Sequence, residues 1–386
     1  MAKKQLLKTS PRKFFRASTK NDSDCGQAAS PGRAVTMTQN HSRTISLQEL
    51  AGLTEGRLVG DGTVLLTGVA SAHDAAAGQL TFLSGAKNYT AYLELLKSSK
   101  AAAVIAPDDA PELSLPSLRF KNPYYGLIKA LEFFFPLEKP DYSIHPAAFV
   151  SENAEVDPSA SIGPYAVVEA GAVIGAGANV CAQAYVGKNC RIGKGTLLHP
   201  GVRVLADCVV GNACIIHANA VIGSDGFGFT QHQGRQLKVP QVGNVVIEDD
   251  VEIGACVTID RGALVSTVIG NGTKIDNMVH IAHNVQIGKN CVIVAQVGIS
   301  GSTILEDEVT LAGQVGTAGH VRVGKGTTVA ARGVVTSDVA PGSFVSGFPL
   351  KPHSEERKIM ASLRKLPDLI KKVRELEKLL EGNEKA

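Results

Sequence analysis

At 386 residues, with 44% hydrophobic and 19% charged residues, the chain can bury the cores of two or three domains, which excludes a disordered protein. Its net charge of +3 is the small difference between 39 basic and 36 acidic residues spread along the chain. That supplies no electrostatic footprint for nucleic acid, and no DNA- or RNA-binding motif is present. No apolar run reaches the roughly eighteen residues of a membrane span; the best one, at Phe133, Phe134 and Phe135, stops at Pro136. A soluble protein without a membrane span is predicted.

Residues 1–43 are basic at first (Lys3, Lys4, Lys8, Arg12, Lys13, Arg16, Lys20), then Ser- and Asn-rich. They lack the apolar stretch of a secretory signal, so secretion is not expected. A disordered extension, with Met37 as an alternative start, and an organelle transit peptide are the two readings of this tail. Residues 44–138 read as a compact α/β domain. Ser46 and Glu49 make a capping box at the start of a short helix. Gly60-Asp61-Gly62 between apolar runs predicts a hairpin turn. Strands are expected at Thr81–Ser84 and Ala101–Ala106, separated by a helix over Asn88–Lys97. Asn122 before Pro123 predicts the start of a helix carrying Leu127, Ile128, Leu131 and Phe134. A linker from Pro136 to Pro140 follows.

Within residues 144–347, and with two interruptions as far as Val335, an aliphatic residue returns every six positions, the first stretch being Ile144, Val150, Val156, Ile162, Val168, Ile174, Val180, Val186, Ile192, Leu198, Val204, Val210, Ile216, Ile222. Neither a helix nor an ordinary strand has that period. A parallel β-helix does, with one flat side per hexad and residues eighteen apart stacked in line. Four positions after each aliphatic residue stands a small one: Ala148, Ala154, Ala160, Ala166, Ala172, Ala178, Ala184, Cys190, Thr196. Gly, Asn and Asp crowd the intervening turn positions, where left-handed backbone is needed. Cys190, Cys208, Cys214 and Cys291 fall on the small-residue rung and no CxxC occurs, so packing in a reducing compartment explains these cysteines better than metal or disulfide. A cytoplasmic location is expected.

Two breaks interrupt the period, and each must loop out of the prism. The longer lies between Ile222 and Ile247 and contains SDGFGF, whose Phe227 and Phe229 predict exposed aromatic surface for a ligand or partner. The shorter separates Ile259 from Ile269 and contains DRGALVST.

The densest functional candidate is IDNMVHIAHNVQIG, residues 275–288. His283 stands two after Ile281, at an outward corner, and Asp276 one side of the coil earlier; the prism core needs neither. An imidazole held by a carboxylate is suited to general-base work. Gly301 follows His283 by eighteen residues, which predicts that it lies one coil along on the same edge, its N–H available to a group bound there or simply serving the turn. His320, in GTAGH, is expected near the same edge. His199 and His217, also eighteen apart, predict a stacked surface or inter-subunit ladder. No nucleophile elbow, P-loop or dinucleotide fingerprint is present, so direct transfer is favoured over a covalent intermediate.

After Pro341 the spacing of Ile359, Leu363, Leu366, Ile370, Val373, Leu376 and Leu380 turns helical, interrupted by Pro367. Residues 352–382 are expected to form helical pieces whose basic face is either solvated or docks an acidic carrier protein.

The hexads resemble the left-handed β-helix acyltransferases as a class. GSDGFGF (223–229), VEIGACVTIDRGAL (251–264), IDNMVHIAHNVQIG (275–288), GTAGH (316–320) and SGFPLKP (346–352) resemble the UDP-3-O-(3-hydroxyacyl)glucosamine N-acyltransferases of lipid A biosynthesis, over about residues 44–380. The resemblance implies a mainly β fold: a left-handed parallel β-helix with a small N-terminal α/β domain that binds uridine nucleotide, and C-terminal helices. It implies His283 as general base, Asp276 as its carboxylate partner, Gly301 as oxyanion donor and His320 as a second functional histidine. It also implies that an (R)-3-hydroxyacyl chain passes from a phosphopantetheinylated acyl carrier protein to the 2-amino group of a UDP-linked, 3-O-acylated glucosamine. No other cofactor and no metal are implied, and the assembly is a homotrimer with sites between subunits. In the uridine segment the family pattern FLSNPKY is replaced here by FLSGAKNY, residues 82–89. Phe82 still matches as the uracil-stacking ring, whereas Asn88 and Tyr89 match with a displacement. The alternatives are a related O-acyltransferase with another UDP-sugar acceptor and a zinc β-helix carbonic anhydrase using His280, His283 and His320.

Overall fold

In the computed structural model, residues 43–83, 89–136, 140, 142–347 and 353–383 are described. The chain divides into two compact units, Met1–Lys139 and Pro140–Ala386.

The first unit is built on a five-stranded sheet in the order Arg57–Val59, Ser117–Phe120, Ala103–Pro107, Gln79–Phe82 and Gly68–Val69. The first pair is antiparallel and the rest are parallel. The central strands read as continuous apolar runs because both faces are covered: Ala103, Val104, Ile105 and Ala106 are all fully buried. Helix α1 (Leu47–Thr54) starts at the expected capping box, with Ser46 Oγ accepting the Glu49 N–H at 3.2 Å and the Glu49 carboxylate accepting the Ser46 N–H at 2.9 Å. Helix α2 (Tyr89–Ser98) follows the third strand in sequence, and α3 (Pro123–Phe134) starts at Asn122, whose side chain accepts the Tyr124 N–H. The expected hairpin at Gly60–Gly62 is corrected. Asp61 does form a local turn, its carboxylate accepting the Thr63 N–H at 2.8 Å. The flanking strands nevertheless part company: Arg57–Val59 pairs with Ser117–Phe120, while Leu65–Leu66 pairs with Ile45–Ser46. Non-local pairing outweighed the turn.

The second unit is a parallel β-helix. Among the described residues its strands form three parallel sheets of ten, ten and nine members. Successive coils pair at eighteen-residue spacing, as Ile162 with Val180 and Val180 with Leu198. From Ile162 to Ile222 the hexad aliphatics point inward and are at most 2% exposed. Each such burial is worth roughly 1.5–3 kcal/mol before chain entropy is charged against it. The small rung is buried beside them: Ala160, Ala166, Ala172, Ala178, Ala184, Cys190 and Thr196 are each at most 1% exposed. The polar members of that rung are satisfied across the coil, Thr196 Oγ1 donating to the Gly211 carbonyl at 2.7 Å and Cys190 Sγ to Leu205 O at 3.0 Å. Burial pushes the Cys190 thiol up to about 12, which makes it a packing group and not a nucleophile.

The residue three after each aliphatic position turns the corner in left-handed backbone. Gln183, Asn189, Asn219, Asn284, Asn290, Gln296 and His320 all have φ between 54° and 63°. Asn and Gly recur at this position because they tolerate it best. At the C-terminal end lie α4 (His353–Leu363) and α5 (Leu366–Asn383), with the expected break just before Pro367. Met360, Leu363, Leu366, Leu369, Ile370, Val373 and Leu376 are exposed along them.

Candidate active site

One edge of the coil collects five of the candidates, Phe227, Phe229, His283, Gly301 and His320. It is the corner between the sheet containing His280–Ile281 and the sheet containing Gln286–Ile287. Both register breaks leave from it. The first, after Val221–Ser224, carries an antiparallel hairpin of Phe229–His232 and Arg235–Lys238; the second follows Thr258–Asp260. His283, Gly301 and His320 occupy the next three coils of the same corner.

The insertions are tied down chiefly by Arg261. Its guanidinium donates to the carbonyls of Gly223 at 2.8 Å, Gly243 at 3.2 Å and Ala206 at 2.9 Å, linking both loops to the coil beneath. The DGFGF loop then closes on the histidine: a Cβ on Gly226 would lie 2.7 Å from His283 Cβ, so only glycine fits at that approach. Phe227 and Phe229 continue outward, 85% and 46% exposed with ring centroids 5.0 Å apart, as expected of a contact surface.

His283 is half-buried, and its Nδ1 lies 2.8 Å from Asn284 Oδ1. Gly301 lies against the ring: a Cβ there would stand 2.8 Å from Cε1 and 2.9 Å from Nε2. The Gly301 carbonyl accepts the His320 N–H at 3.1 Å, while its own N–H has no hydrogen-bond partner among the described residues. His320 is exposed, in left-handed backbone with φ 60°.

Asp276 is elsewhere. Within one chain it occupies the preceding corner, where its carboxylate accepts the N–H groups of Asn277 at 2.7 Å and Ala295 at 3.1 Å. There it lines a groove of about 620 Å³ together with His199, His217, Glu252 and Lys274. The histidine ladder is in that groove, rings 4.9 Å apart and 12° from parallel, with His217 Nε2 2.9 Å from Glu252. Burial holds the His199 imidazole below its ordinary value.

The carboxylate on the His283 edge of the same chain is Asp260, which the spacing argument passed over. Its side chain is 9% exposed, lies 3.7 Å from His280 Nε2 and accepts the Ser224 hydroxyl at 2.8 Å. Burial pushes this carboxyl up, against the pull of Ser224, His280 and His283. The signal for it was the register break itself, because Asp260 is the last residue before the second insertion. Among the described residues of one chain no three His, Cys, Asp or Glu side chains group to hold a metal ion.

In the first unit Phe82 is partly buried and packs on Tyr124 at 4.9 Å between ring centroids. It borders a cavity of about 450 Å³ lined by Val69, His73, Thr81, Tyr92 and Leu127. Tyr89 is the first residue of α2. Asn88 and the Tyr89 side chain lie outside the described residues.

The sequence was also compared with known proteins. A family profile described as UDP-3-O-(3-hydroxymyristoyl) glucosamine N-acyltransferase, LpxD, matches residues 63–133, and one for the bacterial transferase hexapeptide matches residues 189–224 and 266–301. The UDP-3-O-acylglucosamine N-acyltransferase of Methylobacterium sp. (strain 4-46) is 48% identical over 83% of this chain and 93% of its own length. That of Pseudomonas savastanoi pv. phaseolicola is 40% identical over 88% of this chain and 96% of its own. The chain belongs to the UDP-3-O-acylglucosamine N-acyltransferase family. As a UDP-3-O-acylglucosamine N-acyltransferase family member it is an acyltransferase, and the fold class expected from the hexads holds. A solved UDP-N-acetylglucosamine acyltransferase from Francisella novicida is 30% identical, with a TM-score of 0.43 over 56% of this chain and 73% of that one.

Proposed function

We propose that the chain transfers a 3-hydroxyacyl group from acyl carrier protein to the 2-amino group of UDP-3-O-acylglucosamine, with His283 as general base. The observation that carries the reading is the contact of His283 with Gly301: an imidazole and an unpartnered backbone N–H one coil apart on a single edge. A base and an oxyanion donor that close together are what acyl transfer to an amine requires.

The step balances without a covalent enzyme intermediate. The amine nitrogen attacks the thioester carbonyl, a C–N bond forms, and His283 takes the nitrogen's proton. The carbonyl oxygen becomes an oxyanion that the Gly301 N–H stabilises. Collapse expels the phosphopantetheine sulfur, which takes the proton back from the imidazolium and leaves as the thiol. His320 and the Phe227–Phe229 loop contact the substrate at the rim, and Phe82 stacks on uracil in the N-terminal domain. The basic face of the C-terminal helices meets the acidic carrier.

Asp276 enters through assembly. Three coils packed around a threefold axis meet through unlike corners, as a closed heterologous ring must. The Asp276 corner of one copy can then face the His283 corner of the next and supply its negative charge. The reading places the enzyme in the cytoplasm. Among the described residues no helix is long and apolar enough to cross a membrane.

The test is amide formation by purified protein from 3-hydroxyacyl carrier protein and UDP-3-O-acylglucosamine. Wild type should form product and His283→Ala should be slower by about two to four orders of magnitude, the worth of a general base. Full activity in His283→Ala would remove the histidine from that role. A folded wild type that acylates only a hydroxyl acceptor would make the chain an O-acyltransferase.

A further inference from the structure

The His283 ring is oriented from within its own chain by an amide. We infer that Asn284 is a positioning residue that fixes the Nδ1–H tautomer of His283 and leaves the Nε2 lone pair free to accept a proton. The inference deepens the proposed function and rests on His283 being the base.

Hydrogen-bond bookkeeping carries it. Asn284 Oδ1 is 3.1 Å from the Ala263 N and 2.8 Å from His283 Nδ1. A backbone N–H can only donate, so the side-chain atom facing it is the oxygen and not the NH₂. That oxygen can only accept, so Nδ1 must bring the proton. In the neutral ring the remaining lone pair is then on Nε2, at the side of the ring that Gly301 lies against, where a Cβ would stand 2.8 Å from Cε1 and 2.9 Å from Nε2. The tautomer a general base needs is thereby set before substrate binds.

The amide is itself held. The Asn284 N–H donates to Thr267 Oγ1 at 2.9 Å; Ala263 lies within the second insertion and Thr267 follows it directly. Gln286 Nε2 adds a bond to the Ser266 carbonyl at 2.8 Å. The shorter register break therefore has a use beyond looping out, since it supplies the donor that decides which way the Asn284 amide points. The amide sets the tautomer within one chain, while Asp276, on the preceding corner, is left to supply charge through assembly.

Two variants test this. Asn284→Gly removes the amide and keeps the left-handed corner, where Asn284 has φ 63°. Asn284→Asp keeps an acceptor for both donors and adds a charge. Two readouts are used: kcat and KM against pH, and the rate of carbethoxylation of His283 by diethyl pyrocarbonate against pH, followed by peptide mass spectrometry. The second follows the neutral ring and works whether or not the protein turns over. The other titratable groups on this edge, Asp260 and His280 beside His283, Asp225 with its partner Lys238 on the DGFGF loop, and His320, are unchanged throughout.

Asn284→Gly should lower kcat by about ten- to a hundredfold with KM little changed. Asn284→Asp should recover activity at alkaline pH. At acid pH its His283 should react with diethyl pyrocarbonate about fivefold more slowly than wild type, because an anion on Nδ1 favours the imidazolium. Folded variants with the wild-type carbethoxylation profile would overturn the inference, as would a profile moved by Asp276→Asn and not by Asn284→Asp. A wild type without amide product but with the Asn284→Asp shift would instead refute the proposed reaction and keep the orientation.

Discussion

Gly301 is the residue whose side chain, by its absence, decides most. A Cβ there would meet His283 Cε1 at 2.8 Å, whereas at Gly298 and Gly316 on the neighbouring sheet face nothing lies within 4 Å. The clash is with the far end of a side chain that can swing away, so Gly301→Ala costs little stability. It displaces the imidazole instead. Gly301→Ala should keep its melting temperature within a few degrees of wild type and lose about two orders of magnitude in kcat, the scale of a disturbed base and oxyanion donor. Circular dichroism melts beside the acyl-transfer assay check it; an active Gly301→Ala enzyme would mean the ring does not work from that position.

At the scale of elements the two insertions act as one clamp, with Arg261 as its pin. Three partly buried carbonyls on three segments depend on its guanidinium. Arg261→Met fills much of the same volume and leaves those carbonyls unpaired, at a net cost of about 2–4 kcal/mol for a site that water can partly enter. The Phe229–Lys238 hairpin should then be cut faster in limited proteolysis and the melting temperature should fall; unchanged cleavage would show that the hairpin stands without the pin. The elements differ in how legible they were. The coil could be read because its contacts recur at eighteen residues, so each inward position is repeated many times in the sequence. The left-handed corners could be read for the same reason. The Gly60–Gly62 turn misled because a turn signal is local while strand partners are chosen across the sheet. The edge carrying His283, Gly301 and His320 followed from register alone. The Asn284 amide and Asp260 did not, since their orientation depends on where the aperiodic DRGALVST segment comes to rest.

For the whole molecule, Asp276 can serve His283 as proposed only if copies of the chain assemble. The two residues stand on different corners of one coil, and the proposed ring of three copies would bring unlike corners together. The protein should run in analytical ultracentrifugation at three times its 40.4 kDa chain mass. A sharper consequence follows if each site takes His283 from one copy and Asp276 from the next. His283→Ala and Asp276→Ala proteins are each nearly inactive alone, yet mixed trimers contain sites where an intact histidine faces an intact aspartate. In a ring of three that holds both variants, such a pairing occurs in one of the three sites, about one site in three. Co-expressed chains carrying different affinity tags, purified through both, should therefore regain a substantial fraction of wild-type turnover. Mixed trimers no more active than their parents would sink the shared site and return Asp276 to capping the corner N–H groups of Asn277 and Ala295. In that case the charge beside His283 falls to Asp260, the buried carboxylate already on its edge.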